Sequence, residues 1–211
     1  MRPTAIRLAF CLLSLGPPFI TTAHGAAVGA LLGLNRSGIG GDFGQNTEIA
    51  SRTGLLAGIQ GEIGLSQGIA LSLQPMYLRQ ETRATTESDS ANTDLKLTLD
   101  SYSVPIVVKF GLGSGRTYVS SGLDISFLST AKLSSGGLER ETKTSFNDVN
   151  LGALVGFGVV FPVGRPQLTA EVRYAQGLTN MAKAEFGGLP ERFHSYGWQL
   201  AAGILFPLGG R

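Results

Sequence analysis

The sequence predicts an all-β chain folded as an eight-stranded antiparallel up-and-down β-barrel, on three observations. Glycine supplies 30 of 211 residues, roughly twice average usage, while charged residues make up only 15%. Period-two alternation of apolar with small or polar residues recurs in eight segments. The connections between those segments alternate strictly between long and short. Collagen is excluded because the glycines have no period of three, and disorder because apolar residues reach 43% without runs of like charge. So much glycine also disfavours long helices, at roughly 0.5–1 kcal/mol per interior position.

Residues 1–25 read as a cleaved signal peptide rather than as part of the fold. Arg2 and Arg7 give a basic start, Leu8–Leu15 with Phe19 and Ile20 an apolar stretch, and Ala23-His-Gly25 a small-residue cleavage site. The apolar stretch is too short, and too broken by Gly16-Pro-Pro18, to span a bilayer as a helix. Cys11 is the single cysteine and sits within it, so residues 26–211, the expected barrel domain, carry no disulfide, thiol ligand or thiol nucleophile. Loss of Arg2 and Arg7 takes Lys+Arg from 17 to 15 against 15 Asp+Glu. The precursor's pI near 8.8 is therefore no signal for nucleic acid.

The eight segments follow in order. Val28, Ala30, Leu32 and Leu34 share a face, opposed by Gly29, Gly33 and Asn35. In 53–65, Leu55, Ala57, Ile59 and Ile63 oppose Gly58, Gln60, Glu62 and Gly64. In 69–81, Ile69, Leu71, Leu73 and Tyr77 oppose Ala70, Ser72 and Gln74. Segment 95–110 sets Tyr102, Val104, Ile106, Val108 and Phe110 against Ser103, Pro105 and Lys109. Segment 117–130 sets Val119, Leu123, Ile125 and Phe127 against Ser120, Gly122, Asp124 and Ser126. In 148–161, Val149, Leu151, Val155, Phe157 and Phe161 oppose Asn150, Gly152, Gly156 and Gly158. Segment 168–176 sets Leu168, Val172 and Tyr174 against Thr169, Glu171 and Arg173. The last, 196–206, sets Tyr196, Trp198, Leu200, Ile204 and Phe206 against Gly197, Gln199 and Gly203.

Short turns are expected near 65–69, 111–116 and 162–167, and long polar loops near 37–52, 84–94, 131–147 and 177–195. That order matches a membrane barrel with periplasmic termini, short periplasmic turns and long outer loops. Strands of this length can span a bilayer when tilted. Aromatics fall where two interfaces would lie. Tyr77, Tyr102, Phe127, Tyr174, Tyr196 and Trp198 adjoin long loops, and Phe110, Phe161 and Phe206 adjoin short turns or the C-terminus. A soluble barrel binding a small apolar ligand would instead turn the greasy face inward. It would then show water a face of Gly, Ala and Ser poor in Lys and Glu.

Gly33-Leu-Asn-Arg-Ser37, Val104-Pro-Ile-Val-Val-Lys-Phe110 and Val172-Arg-Tyr-Ala-Gln-Gly-Leu-Thr-Asn180 resemble the PorT-type outer-membrane β-barrel family. The Gly-rich stretch Gly152–Gly164 and a final strand ending in Phe206 are similar to it too. The resemblance covers essentially the whole chain after the leader, and implies a Gram-negative outer membrane and an eight-stranded barrel. Ser103, where such sequences often carry an acid, and the tail Pro207–Arg211 depart from the pattern.

The inward-facing set is expected to include Gln60, Glu62, Lys109, Asp124, Asp148, Glu171, Arg173 and Gln199. Buried charges need partners, so Lys109 and Arg173 are expected to neutralise some of Glu62, Asp124 and Glu171. A bore this narrow favours a structural plug over an ion or proton path. His194 and Ser195 point to opposite faces if a strand begins there, and the loop serines Ser88 and Ser90 have no neighbouring His in sequence. No metal-ligand spacing occurs, and the glycines of 38–44 and 111–115 read as turns, not phosphate loops. The expectation is a monomer, not an enzyme, without cofactor, metal or nucleic acid. Its partners are outer-membrane lipids and the barrel assembly machinery, and its long outer loops carry structural or surface-interaction duties. A narrow pore or a secretion or assembly accessory is the alternative.

Overall fold

The computed structural model describes residues 25–41, 47–88, 91–113, 115–135, 138–181 and 193–209. The expected leader, apart from Gly25, and outer-loop positions including Ser90 lie outside the described residues. The described chain is antiparallel β throughout, with one 3-10 turn at Lys143–Ser145. The strands are β1 (Ala26–Gly41), β2 (Thr47–Ser66), β3 (Ile69–Leu73), β4 (Met76–Ser88) and β5 (Ala91–Leu112). There follow β6 (Thr117–Ser135), β7 (Leu138–Glu141), β8 (Val149–Pro162), β9 (Gln167–Gly177) and β10 (Phe193–Leu208).

Among the described residues ten strands replace the eight expected, for two physical reasons. Pro75 has no N–H to give a ladder, so the expected 69–81 strand breaks at Gln74–Pro75 into β3 and β4. The gap is bridged by the Gln74 N–H donating to the Pro105 carbonyl (3.0 Å) and the Ile59 N–H to the Pro75 carbonyl (3.0 Å). Gly58 permits the kink, since a Cβ there would meet Met76 Cβ at 2.5 Å and the Pro75 oxygen at 2.3 Å. The other addition, β7, pairs only with the outer end of β6.

The ladder closes on itself. From β2 it passes through β1, β10, β9, β8, β6 and β5, and both β3 and β4 link β5 back to β2. Cross-strand partners lead from Ala26 through Ile63, Leu71, Val108, Ser121, Val155, Tyr174 and Trp198 back to β1 at Arg36. That offset, 36 − 26 = 10 residues, sets the tilt. With a rise of about 3.3 Å and a strand spacing of about 4.8 Å, strands incline by about 40° at a Cα radius of about 8 Å. Such a radius leaves room for side chains and little else.

The apolar faces point outward. Leu32, Ile59, Leu55, Leu123, Leu200 and Val155 are all more than half exposed. The inward positions Gln60, Ser72, Lys109, Glu171, Arg173 and Gln199 are buried. This is the reverse of what a soluble barrel with an apolar pocket requires. Tyr196 and Phe206 are ten residues apart on β10; at about 3.3 Å per residue and 40° tilt they bracket a band about 25 Å tall, the height of a membrane-spanning belt.

Connections at the two ends differ as expected in order but not in form. The short turns each place a glycine at positive φ: Gly68, Gly113 with Gly115, and Gly164. At the other end, strand pairing runs far into the expected long loops, to Gly41↔Phe193, Ser88↔Ala91 and Leu95↔Ser135. Thr- and Ser-rich polar stretches keep β-propensity and continue the ladder rather than leaving backbone groups to water.

Candidate functional site

The inward face forms three layers from the short-turn end to the long-hairpin end. The first is a cavity of about 440 Å³ lined by Gly68, Gly111, Arg116, Glu62, Lys109 and Tyr118 among others. At its inner end Lys109 donates to Glu62 Oε2 at 2.6 Å, and its Nζ lies 4.9 Å from the centre of the Tyr118 ring. Both arrangements compensate an ammonium that is almost fully buried. Gln60 Nε2, buried nearby, has no hydrogen-bond partner among the described residues.

The second layer crosses the lumen. Arg173, among the most buried side chains, donates through Nε to Gln199 Oε1 and through Nη1 to Gln74 Oε1, both at 2.6 Å. Its Nη2 reaches Met76 Sδ at 3.5 Å. Glu171 accepts from Tyr118 Oη at 2.9 Å and from Ser120 Oγ at 2.7 Å. Asp124 accepts from Ser103 and, at 2.7 Å, from Ser126 Oγ. Beside this network Leu31, Leu56, Met76 and Leu78 pack into an apolar cluster within the lumen.

The third layer is apolar. Beyond Tyr102 the inward face of β5 continues from Ser101 to Leu99 and Leu97, which pack with Leu128, Ala131, Phe146 and Met181. Main-chain bonds tie this cap to the strands: Thr142 N–H to the Ala131 carbonyl and Asn147 N–H to the Met181 carbonyl, both 2.9 Å. A pocket of about 40 Å³ lies beneath it, lined by Asp124, Ser126, Leu128, Met181 and Gln199 among others. No residue lines both this space and the larger cavity.

The structure therefore brings Glu62 and Lys109 together as an ion pair, while Arg173 takes amide partners instead of a carboxylate. Glu171 and Asp124 meet hydroxyls. Asp148, expected inside, is exposed just before β8. Gln74, Tyr118, Ser120, Ser103 and Ser126 complete the network. Alternation already sets Gln74, Ser103, Ser120 and Ser126 on the face opposite the apolar one, and the same parity extends to Tyr118 at the start of its segment. The lumen leucines were hidden in the doublets Leu31-Leu32 and Leu55-Leu56, where one residue faces each way. His194 Nδ1 lies 3.0 Å from the Thr179 carbonyl, joining the start of β10 to the segment after β9.

The aromatics sit on the outer surface. Tyr102, Phe127, Tyr196 and Trp198 are exposed toward the long hairpins, and Phe110, Phe161 and Phe206 toward the short turns. Tyr77 and Tyr174 are half-buried because they stack edge-on against Tyr102 (6.2 Å between centroids) and Trp198 (5.2 Å).

A model of the outer membrane protein beta-barrel domain matches residues 17–183. The chain belongs to that family. Membership accounts for the outward greasy face and assigns the chain to the outer membrane. Among solved structures, OprG from Pseudomonas aeruginosa aligns with TM-score 0.53 and 11% identity over 89% of this chain and 97% of its own. Neisserial surface protein A aligns with TM-score 0.45 and 18% identity over 85% and 97%. Ail, the attachment invasion locus protein of Yersinia pestis, aligns with TM-score 0.43 and 16% identity over 86% and 99%. At these identities OprG shares the fold with this family member and nothing finer. No curated protein matches the sequence.

Proposed function

We propose that this protein is a closed, monomeric, non-enzymatic outer-membrane barrel with eight membrane-spanning strand positions, which displays its outer hairpins for structural or surface-interaction duties. The observation that carries the reading is the filled lumen, with Arg173 and its amide partners across the middle and Phe146 and Met181 over the outer end. A plug satisfied by short hydrogen bonds has no reason to open, whereas the β4–β5 hairpin and the open end of the β5–β6 ladder extend well past the outer aromatics. Within the family we read the chain as a PorT-type member, on the Val104–Phe110 and Val172–Asn180 segments. The barrel assembly machinery and outer-membrane lipids are its proposed partners.

Planar-bilayer recording of the refolded full chain tests the closed lumen. Silence, together with heat-modifiable migration on gels, is the expected result, and steady unitary conductance refutes it. The alternative reading, a narrow pore or secretion or assembly accessory, draws on the 440 Å³ cavity open at the short-turn end. Conductance gained only when the cap is cut back would favour it.

A further inference from the structure

Cations on the outer surface beyond the aromatic rows fall into two groups. On the β4–β7 side three are paired, Arg79 with Asp100 (2.8 Å), Lys96 with Glu81 (3.1 Å) and Lys132 with Glu139 (3.6 Å), while Arg140 of β7 is exposed and makes no such pair among the described residues. On the β1–β2 side, Arg36 and Arg52 are exposed and make no such pair among the described residues. Arg36 lies on the outward face of β1, two positions past Leu34, and is flanked in register by Trp198 of β10 and Thr53 of β2. Arg52 is the next register step, opposite Ser37. Arg52 and Thr53 are consecutive and both exposed, and β2 carries a bulge against β4 between Ser51 and Leu56. A bulge of this kind sets two residues of one strand against one of its partner.

We propose that Arg36 and Arg52, with Thr53 and Trp198, form a site for the phosphate group of an anionic lipid of the outer leaflet. The proposal rests on the membrane reading above. Depth supports a lipid as the source: Trp198 is an interfacial aromatic, and Leu34 and Leu55 directly below are exposed to the apolar band. Two unpaired guanidiniums offer fork-shaped donors suited to phosphate oxygens, and Thr53 adds a hydroxyl. The lipid's acyl chains would lie along the Leu32, Leu34 and Leu55 surface, which a free phosphate could not use.

The test is refolding of the full chain into phosphatidylcholine vesicles with and without a few mole per cent of lipid A, followed by native mass spectrometry of the retained lipid. Lipid A is expected to be retained over phosphatidylcholine, with Arg36→Gln plus Arg52→Gln weakening retention about ten- to thirty-fold. Arg116→Gln plus Arg165→Gln, at the opposite end, is expected to leave it unchanged. Millimolar inorganic phosphate should not compete; full displacement by it would overturn the lipid assignment. Equal retention by the Arg36/Arg52 variant, with heat-modifiable migration intact, overturns the site and leaves the membrane reading standing. Failure of the unmutated chain to insert at all overturns both.

Discussion

Replacing Arg173 with methionine removes the centre of the lumen network while nearly keeping its volume. Two amide oxygens, Gln199 Oε1 and Gln74 Oε1, each lose a charged donor at 2.6 Å. Leaving a buried acceptor unsatisfied costs about 1–3 kcal/mol. Glu171 and Asp124 lose a cation that acts on both of them, and breaking a buried charge arrangement from one side costs about 3–5 kcal/mol in total. Partial relaxation of the glutamines keeps the sum near the lower bound, so about 3–5 kcal/mol is expected. With a urea slope of about 2 kcal/mol per molar, the unfolding midpoint in detergent micelles falls by about 1.5–2.5 M. Adding Glu171→Gln to Arg173→Met should recover part of that loss, because the orphaned carboxylate goes with its cation. A midpoint shift under 0.5 M for the single variant (about 1 kcal/mol at that slope) would refute the view that Arg173 holds the lumen together. Strict additivity of the two substitutions would show that no coupling passes between them.

Further expectations follow from other layers. Gly158→Ala drives a methyl group onto the Tyr118 ring, 2.3 Å from Cζ, and should cost about 1–3 kcal/mol by overpacking; Tyr118→Leu in the same chain should restore most of the urea midpoint. Phe146→Ala empties the outer cap and should cost about 3–5 kcal/mol if the cap unfolds with the barrel, whereas selective proteolysis near 142–148 with an unchanged midpoint would show a cap that melts alone. Asp100 lies outside the membrane band: burial pushes its carboxyl up, but hydrogen bonds from Arg79 and Tyr77 and the Arg79 charge outweigh that and hold it below the usual range. Its contribution is therefore complete above the unfolded carboxylate value near 3.8 and is lost as pH falls through the lower folded value. An exposed pair contributes at most about 1 kcal/mol, so Asp100→Asn should lower neutral stability by no more than that and remove the matching small part of the acid sensitivity below pH 4.

Period two made the spanning segments legible. Along β10 the sequence alternates Tyr196, Trp198, Leu200 with Gly197, Gln199, Ala201, and the residues exposed in the fold are the first set. Alternation reports faces, because consecutive strand side chains point to opposite sides whatever the strand's partners are. It also placed Lys109, Glu171 and Arg173 inside. It could not report where pairing stops: Thr- and Ser-rich segments read as loops, yet their backbones continue the β4–β5 ladder to Ser88↔Ala91. Nor could it foresee β3 and β4 as separate strands, since Pro75 acts through the hydrogen bond it fails to give its neighbour.

By itself, then, the sequence determined which residues meet lipid and which meet the lumen, because that choice is a local matter of parity and polarity. The tertiary structure alone decided who meets whom inside. Arg173 faces Gln199 on the next strand and Gln74 far away in the chain, rather than a carboxylate, because the ten-residue offset around the ring sets the level of each inward side chain. The same offset sets Trp198, Arg36 and Thr53 side by side on the outer surface. Register around a closed ladder is a property of all the strands together, and no single stretch of sequence contains it.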